Sequence, residues 1–462
     1  MERKSKNSVS AFLRKNGLAL LLAAGIFALM CAVVFRYRAV DGTFVSGQGA
    51  YVSDYVSHIV WAIGMSSRTV AASFVNGSER LWHVCVKFLF THGVSNMWAA
   101  AAIVTAVADA AAYFIVYKAV DSILPEKQPR WLPALAVAAV FVVNSLALPG
   151  GSIYTAHGAV NTWHNPTNIM VRPFAAAVFF MTVRIYNRRR YGCHSAMALS
   201  GAATGDFVFA DSIWAEFRRP VYTWFERIAY PVCLLCSAWA KPSFLQFFAP
   251  AILIFLVIDL IRTRGRLLPF CLKLALAYIP AGIVVCTQLF GFFGGSLFQS
   301  ASAADAVQAA ESAASGAGIA VYFIQRSFAG IGDFFSVTGQ NILSGLICLC
   351  AFPLFVILAG GRQAWQDTSC RLGLIGMGVG WLEAKLLHET GSRAAHGNFF
   401  WGFYLSVWML WAAAIGQYVR LVREPGRRGA LVRWGGSALL IWHLSVGIIY
   451  LAQILQTGEY YF

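Results

Sequence analysis

Charge is what this chain has least of. Asp, Glu, Lys and Arg make up 12% of its 462 residues, about half the share found in soluble domains. With 58% hydrophobic residues, a soluble fold would leave large apolar patches in water, so composition excludes that class. The period-two alternation of a transmembrane barrel is missing as well. What fills the chain is a series of apolar runs of roughly 20 residues, the length of a membrane-crossing helix. Backbone groups in lipid must be satisfied within the segment, so bundled helices are the spanning form.

Other absences narrow the function. The chain has no Gly-x-x-x-x-Gly-Lys-Ser/Thr loop and no dinucleotide fingerprint, which leaves an ATP-driven pump without support. Energy or a transferred group must come from a lipid-linked or small-molecule substrate, or from a gradient. No nucleic-acid motif accompanies the net charge of +16, and the basic residues are spread through short loops as topology signals are. The ten cysteines lie mostly inside apolar runs, with Cys85 in an outer loop, so they make no disulfide framework. Cys233-Leu-Leu-Cys236 has the spacing of a redox pair but no soluble domain around it, and such thiols pack as small hydrophobes. No internal repeat of the kind that marks many transporters is visible.

Hydropathy marks about eleven spans, near residues 18–35, 97–117, 132–148, 168–186, 228–240, 244–261, 267–289, 341–359, 372–387, 398–419 and 434–456. A basic start followed by the run 18–35 has the order of a signal peptide. The length of the run, the lack of a small-residue cleavage site and Arg36-Tyr37-Arg38 at its edge read instead as a retained helix with a cytoplasmic N-terminus. Strict alternation then puts on the cytoplasmic side residues 3–15, Lys127 with Arg130, Arg188-Arg189-Arg190 with Arg218-Arg219, residues 262–266, Arg362 with Arg371, and residues 420–433. That is roughly two thirds of all Lys and Arg, as the positive-inside rule requires. The short fifth span ends at Lys241-Pro242, where proline breaks the helix. Fusing residues 228–261 into one span would turn residues 420–433 outward, against that rule.

The expectation is an all-α polytopic bundle in the cell membrane, one membrane domain over residues 1–462. Residues 36–96 form a first outer loop with interfacial amphipathic helices at 54–65 and 80–90. Residues 187–227 form a basic cytoplasmic loop. Residues 290–340 form an outer loop with a mobile Ala/Ser-rich tract at 300–318, then an aromatic stretch at 319–335 lying on the membrane.

Seven of the nine histidines fall on the outer side, with most of the closely grouped ionisable residues. Such residues at a membrane edge are costly and usually functional. Asp54 and His58 share a helix face. The carboxylate could take a proton from an acceptor hydroxyl or help to hold a divalent cation; an ordinary solvated helix accounts for the pair as well. Arg80, His83 and Lys87 suit a phosphate or simply anionic lipid. Residues 161–167, with His164 and Asn165, are denser in polar and aromatic groups than a connector requires, with His157 before them and Arg172 following at the lip of the fourth span. Lys241 sits at a hairpin tip, where it binds a ligand or reaches up to water. The densest group holds His388, Glu389, Arg393 and His396, with Glu383 and Lys385 just before it. As a helix it would pair Glu389 with Arg393; as a glycine turn it would aim N–H groups at an anion. Asp109 and His443 read as interhelical hydrogen-bonding groups.

The layout resembles the GT-C superfamily of integral-membrane glycosyltransferases. The segments that carry the resemblance are Ser53-Asp54-Tyr55-Val56-Ser57-His58, Leu81-Trp82-His83, Trp163-His164-Asn165-Pro166-Thr167, Ala240-Lys241-Pro242-Ser243-Phe244 and His396-Gly397-Asn398-Phe399-Phe400-Trp401-Gly402. They look like motifs of uncharacterised bacterial multispan members. The resemblance implies transfer of a sugar from a polyprenyl-phosphate donor to an extracytoplasmic glycan or lipid acceptor, in a bacterial cytoplasmic membrane. Asp54 would be the general base. His58, His83, His164, Asn165, Arg172, Lys241, Glu389, Arg393 and His396 would bind substrate, with Lys241, Arg393 or His396 meeting the phosphate. Two departures stand out. Many members carry two adjacent acidic residues in the first outer loop, whereas Asp54 has no acidic neighbour and Asp41 lies far along the loop; this counts against a metal. No large soluble C-terminal domain follows the last span. The competing reading is a transporter or flippase for a lipid-linked or polar saccharide, which needs a polar path to the inner face; Asp109, Asp259 and His443 are its sparse candidates. A non-catalytic scaffold would leave the outer histidines unexplained.

Overall fold

The computed structural model describes residues 2–41, 53–66, 80–124, 129–146, 160–191, 207, 209–210, 212–293, 319–321, 336–337, 340–389 and 399–458. Each apolar stretch marked by hydropathy holds a helix. In chain order they are α1 (Glu2–Asp41), α2 (Tyr55–Gly64), α3 (Arg80–Thr91), α4 (Met97–Asp121), α5 (Trp131–Val140), α6 (Pro166–Tyr191), α7 (Ile213–Arg218), α8 (Trp224–Ala240), α9 (Ser243–Arg262), α10 (Leu268–Leu276), α11 (Ile279–Phe293), α12 (Ile342–Gln366), α13 (Thr368–Leu386), α14 (Phe400–Leu421), α15 (Gly426–Leu431) and α16 (Ser437–Thr457). A π-helical turn, Val432–Gly436, joins the last two. The chain is therefore an all-α bundle with membrane-crossing helices. Among the described residues, strands are limited to two short antiparallel pairs, Ile319–Val321 with Leu387–Glu389 and Ser336–Val337 with Gln340–Asn341.

Among the described residues, six helices are long and apolar enough to cross a membrane, and α10 with α11, bent by 53°, makes a seventh. The sequence marked about eleven such runs. Hydropathy scores apolarity, not contact with lipid, and α14 illustrates the gap. Every residue from 401 to 419 is buried, so this helix is wrapped by protein on all sides. It is under no pressure to be uniformly aliphatic and carries Trp401, Tyr404, Ser406, Trp408 and Trp411. Boundaries shift as well: α1 runs on to Asp41 instead of stopping near residue 35.

Helix ends follow local chemistry. Asn96 starts α4 by accepting from the N–H groups of Trp98 and Ala99. Thr223 and Glu226 form a reciprocal capping box at α8. Asp367 caps α13 through the N–H groups of Ser369 and Cys370. In the bundle α1 packs on α4, α4 on α6, α6 on α8, and α13 on both α9 and α14. The last contact is close: a Cβ on Gly380 would sit 2.6 Å from Ser406 Oγ and 3.1 Å from Phe403 Cα. Small residues at such crossings are the usual means of tight helix packing in lipid.

The contacts sort the ionisable residues into two ends. At one end Arg130 meets Asp121 at 2.6 Å, Arg188 meets Glu226 at 2.6 Å, Arg189 meets Glu216 at 2.7 Å, and Arg371 meets Asp259 at 3.6 Å. Asn16 of α1 accepts from Lys118 there as well. The opposite end gathers the loop before α2, the start of α6, the α8–α9 hairpin and the start of α14. Residues 300–318 lie outside the described residues, as do residues 322–335.

Candidate functional site

The site is organised by the start of α6. Asn165 precedes Pro166, whose fixed φ suits the first helical position. Asn165 Oδ1 accepts from the backbone N–H of Asn168 at 2.8 Å, as an N-cap does, and from Thr167 Oγ1 at 3.0 Å. With its oxygen so committed, the amide has only its NH2 to turn outward. That group donates to Asp54 Oδ2 at 2.6 Å. The loop before it is tied down in turn. Asn161 Nδ2 donates to the carbonyls of Val140 and Val143 at 3.0 and 2.9 Å, Asn168 Nδ2 donates to Thr162 Oγ1 at 2.6 Å, and Trp163 stacks on Tyr450.

Asp54 stands at the N-cap position of α2, yet its carboxylate makes no cap bond to that helix. It turns to Asn165 instead, while its own N–H donates to the His164 carbonyl at 3.2 Å. Asp54 is half-buried. Next to it Ser53 Oγ donates to Asp41 Oδ2 at 2.5 Å, both residues being buried. Asp41 was expected far along the loop; the chain folds back and sets it beside Ser53.

Lys241, between α8 and α9, is only 2% exposed. Its side chain therefore does not reach up to water. The ammonium donates to Thr167 Oγ1 at 3.0 Å and to Asn165 Oδ1 at 3.5 Å, and lies 4.9 Å from the centre of the Trp401 ring. A cation over an indole face is attracted by the ring's quadrupole. His164 also sits against Trp401, 5.6 Å between ring centres. Burial, reinforced by Lys241, pushes the His164 imidazole down to about 3, so it is neutral at physiological pH.

His58 on α2 and His83 on α3 meet at 2.9 Å between Nδ1 and Nε2, framed by Trp61 and Trp82. One ring must donate and the other accept. Burial holds the His58 imidazole well below its ordinary value, with His83 and Lys241 adding to the effect. Trp82 donates to Thr105 at 3.0 Å, anchoring α3 to α4. Lys87 donates to the Ile63 carbonyl at 3.0 Å, which closes the end of α2.

Four of the residues singled out in the sequence, Asp54, His164, Asn165 and Lys241, thus form one connected group, with the His58–His83 pair alongside. Arg172 does not join their hydrogen bonds. It is buried one helical stretch deeper, paired with Asp109 at 2.9 Å and packed on Trp408. The helical reading through Glu389 is overturned: Glu389 ends a strand whose partner is Ile319. Arg393 and His396 lie outside the described residues, as does His157. Sequence reasoning passed over Glu383 as a mere flank of that segment. Its Oε2 is buried with no hydrogen-bond partner among the described residues, and it lies close to Gly402, whose Cβ would meet it at 3.4 Å. A single carboxylate near the end of an apolar run was the available signal. Among the described residues no three His, Cys, Asp or Glu side chains converge to hold a metal ion.

Chemically, the group offers a half-buried carboxylate aimed by an amide, a buried ammonium one residue away, and neutral imidazoles around them. Such a set can accept a proton and pair with an anion in the same place. The chain matches no protein-family model and no curated protein.

Proposed function

We propose that the chain is a membrane glycosyltransferase of GT-C type, moving a sugar from a polyprenyl-phosphate donor to an acceptor at the outer face of a bacterial cytoplasmic membrane. The observation that carries this reading is the meeting of Asp54, Asn165 and Lys241, brought from three separate segments to one end of the bundle. In the reaction the acceptor oxygen attacks the anomeric carbon, and Asp54 takes the hydroxyl proton. The bond from that carbon to the phosphate oxygen breaks on the opposite face. The leaving lipid phosphate keeps the electron pair and needs no proton where Lys241 pairs its charge. Asn165 holds the carboxylate in place, and the neutral His58 and His164 line the site without competing for the anion, with His83 bonded to His58. The donor's tail would lie among the helices.

Replacing Asp54 with Asn tests the reading. The amide is isosteric, so the protein should remain folded, with a melting temperature close to that of the parent, while transfer of labelled sugar from a polyprenyl-phosphate donor falls to background. Full transfer by this variant would remove Asp54 from the mechanism. One observation favours the saccharide-carrier alternative, the Asp109–Arg172 pair deep among the helices. Movement of the lipid-linked sugar across vesicles with no covalent change would decide for that reading.

A further inference from the structure

We propose a second site, at the arginine-rich end, that seats the phosphate headgroup of an anionic membrane lipid. A cavity of about 480 Å³ opens there between α7, α8 and the α10–α11 bend, lined by Arg218, Arg219, Arg227, Lys273 and Tyr222, with Pro280 on its wall. No Asp or Glu lines it. The two nearby carboxylates are buried and already engaged, Glu216 by Arg189 and Glu226 by Arg188. Lys273 spends its donors on the carbonyls of Phe217 and Arg219, which fastens the end of α7 and sets Arg218 and Arg219 at the rim. The side chains of Arg218 and Arg227 make no hydrogen bond or ion pair among the described residues and are exposed. Guanidinium groups around an acid-free hollow match the oxygens of a phosphate.

What makes the ligand a lipid is the surface around the cavity. Trp214 and Trp224, 74% and 77% exposed, stand beside it, and tryptophans of this kind mark headgroup depth. Further along the same helices Ile228, Val232, Leu276, Ile279 and Ile283 are exposed, an aliphatic wall for acyl chains. A basic pocket between helices at the arginine-rich side of a membrane protein is where anionic headgroups bind. The site lies at the opposite end of the bundle from Asp54, so it stands or falls independently of the transferase reading.

The test uses the full chain in detergent, titrated with phosphatidylglycerol, against phosphatidylcholine and soluble glycerol phosphate at matched concentration. Phosphatidylglycerol should raise the melting temperature, since a ligand of the folded state stabilises it; the other two should not. In the double variant Arg218→Gln with Arg227→Gln the half-maximal lipid concentration should rise about tenfold or more, as expected for lost charge-assisted hydrogen bonds. Arg427→Gln, an exposed arginine at the same end, should respond like the parent. An unchanged response in the double variant, an equal loss in Arg427→Gln, or an equal rise with glycerol phosphate would each overturn the proposal. If the double variant does not fold, a photoreactive phosphatidylglycerol added to the parent protein decides instead. Adducts within residues 213–231 and 268–283 are expected, and adducts confined to other segments would overturn it.

Discussion

Asn165 has two jobs that a substitution can separate. Its oxygen caps α6 and its NH2 holds Asp54. Asn165→Ala loses both, and the cap alone is worth about 1 kcal/mol. Asn165→Asp keeps an acceptor for the cap but sets a second carboxylate against the first. Like charges that close force one group to retain its proton and raise its pKa. The acid limb of the pH–rate profile should therefore move upward further in Asn165→Asp than in Asn165→Ala, while the melting temperature falls further in Asn165→Ala. Coincident profiles for the two variants would separate Asn165 from the proton transfer. The buried histidines make a second prediction. His164 titrates near 3 in the folded chain against an ordinary 6.5. Below 6.5 the unfolded chain binds the extra proton, so the stability this residue contributes is complete above 6.5 and declines as pH falls toward 3. The slope is about 1.4 kcal/mol per pH unit, or about 2 kcal/mol between pH 6.5 and 5. Melting curves across that window should flatten in His164→Asn; an unaltered slope would assign the acid sensitivity elsewhere. Asp54, Asn165 and Lys241 were legible in the sequence because each interrupts an apolar pattern beside a helix end. Asp41 and Glu383 were not, since what sets them apart is the tertiary path that brings them to Ser53 and Gly402.

At the scale of elements, the site depends on α16, which gives it no polar group and reaches it through packing, Tyr450 against Trp163. A Cβ on Gly447 of α16 would fall 1.9 Å from the Val142 carbonyl oxygen, a backbone atom that cannot swing aside. The same turn exchanges bonds with His443 through Asn144 and supplies the carbonyls that hold Asn161. Gly447→Ala should push α16 off this turn, lower stability by about 1–3 kcal/mol and depress activity by loosening the loop that leads to Asn165. Gly378→Ala on α13, where an added methyl meets nothing within 4 Å, should be neutral or slightly stabilising, a helical alanine being favoured by about 1 kcal/mol. Equal losses in both variants would remove Gly447 from this role. The helices at the marked apolar runs were readable, because the length and composition of a segment decide them locally; α7, inside the basic loop, was not. Where helices stop was less so: the run at 132–148 ends as helix at Val140, where the turn that meets α16 begins. The strand at Glu389 owes its form to Ile319–Val321, a partner no local window contains.

For the molecule as a whole, the separation of charge between its ends is the feature that orients it. Arginines pair with buried acids at one end, while Asp54, Lys241 and the histidines gather at the other. By the positive-inside rule the arginine-rich end would face the cytoplasm. In a cysteine-free background, a membrane-impermeant thiol reagent applied to intact cells should label Ser95→Cys, next to α4, and leave Arg427→Cys unlabelled; the reverse pattern would invert the orientation. The segregation was visible in the sequence as loop charge. The enclosure of α14 was not, because an enclosed helix and a lipid-facing one are both apolar.

That enclosure has a consequence for synthesis. α14 rests on α5, α9, α12 and α13, all translated before it, and it supplies the indole that covers Lys241. Asp54, Asn165 and Lys241 are all synthesised before that cover. The packing around Lys241 is therefore complete only once residues 400–421 have been made.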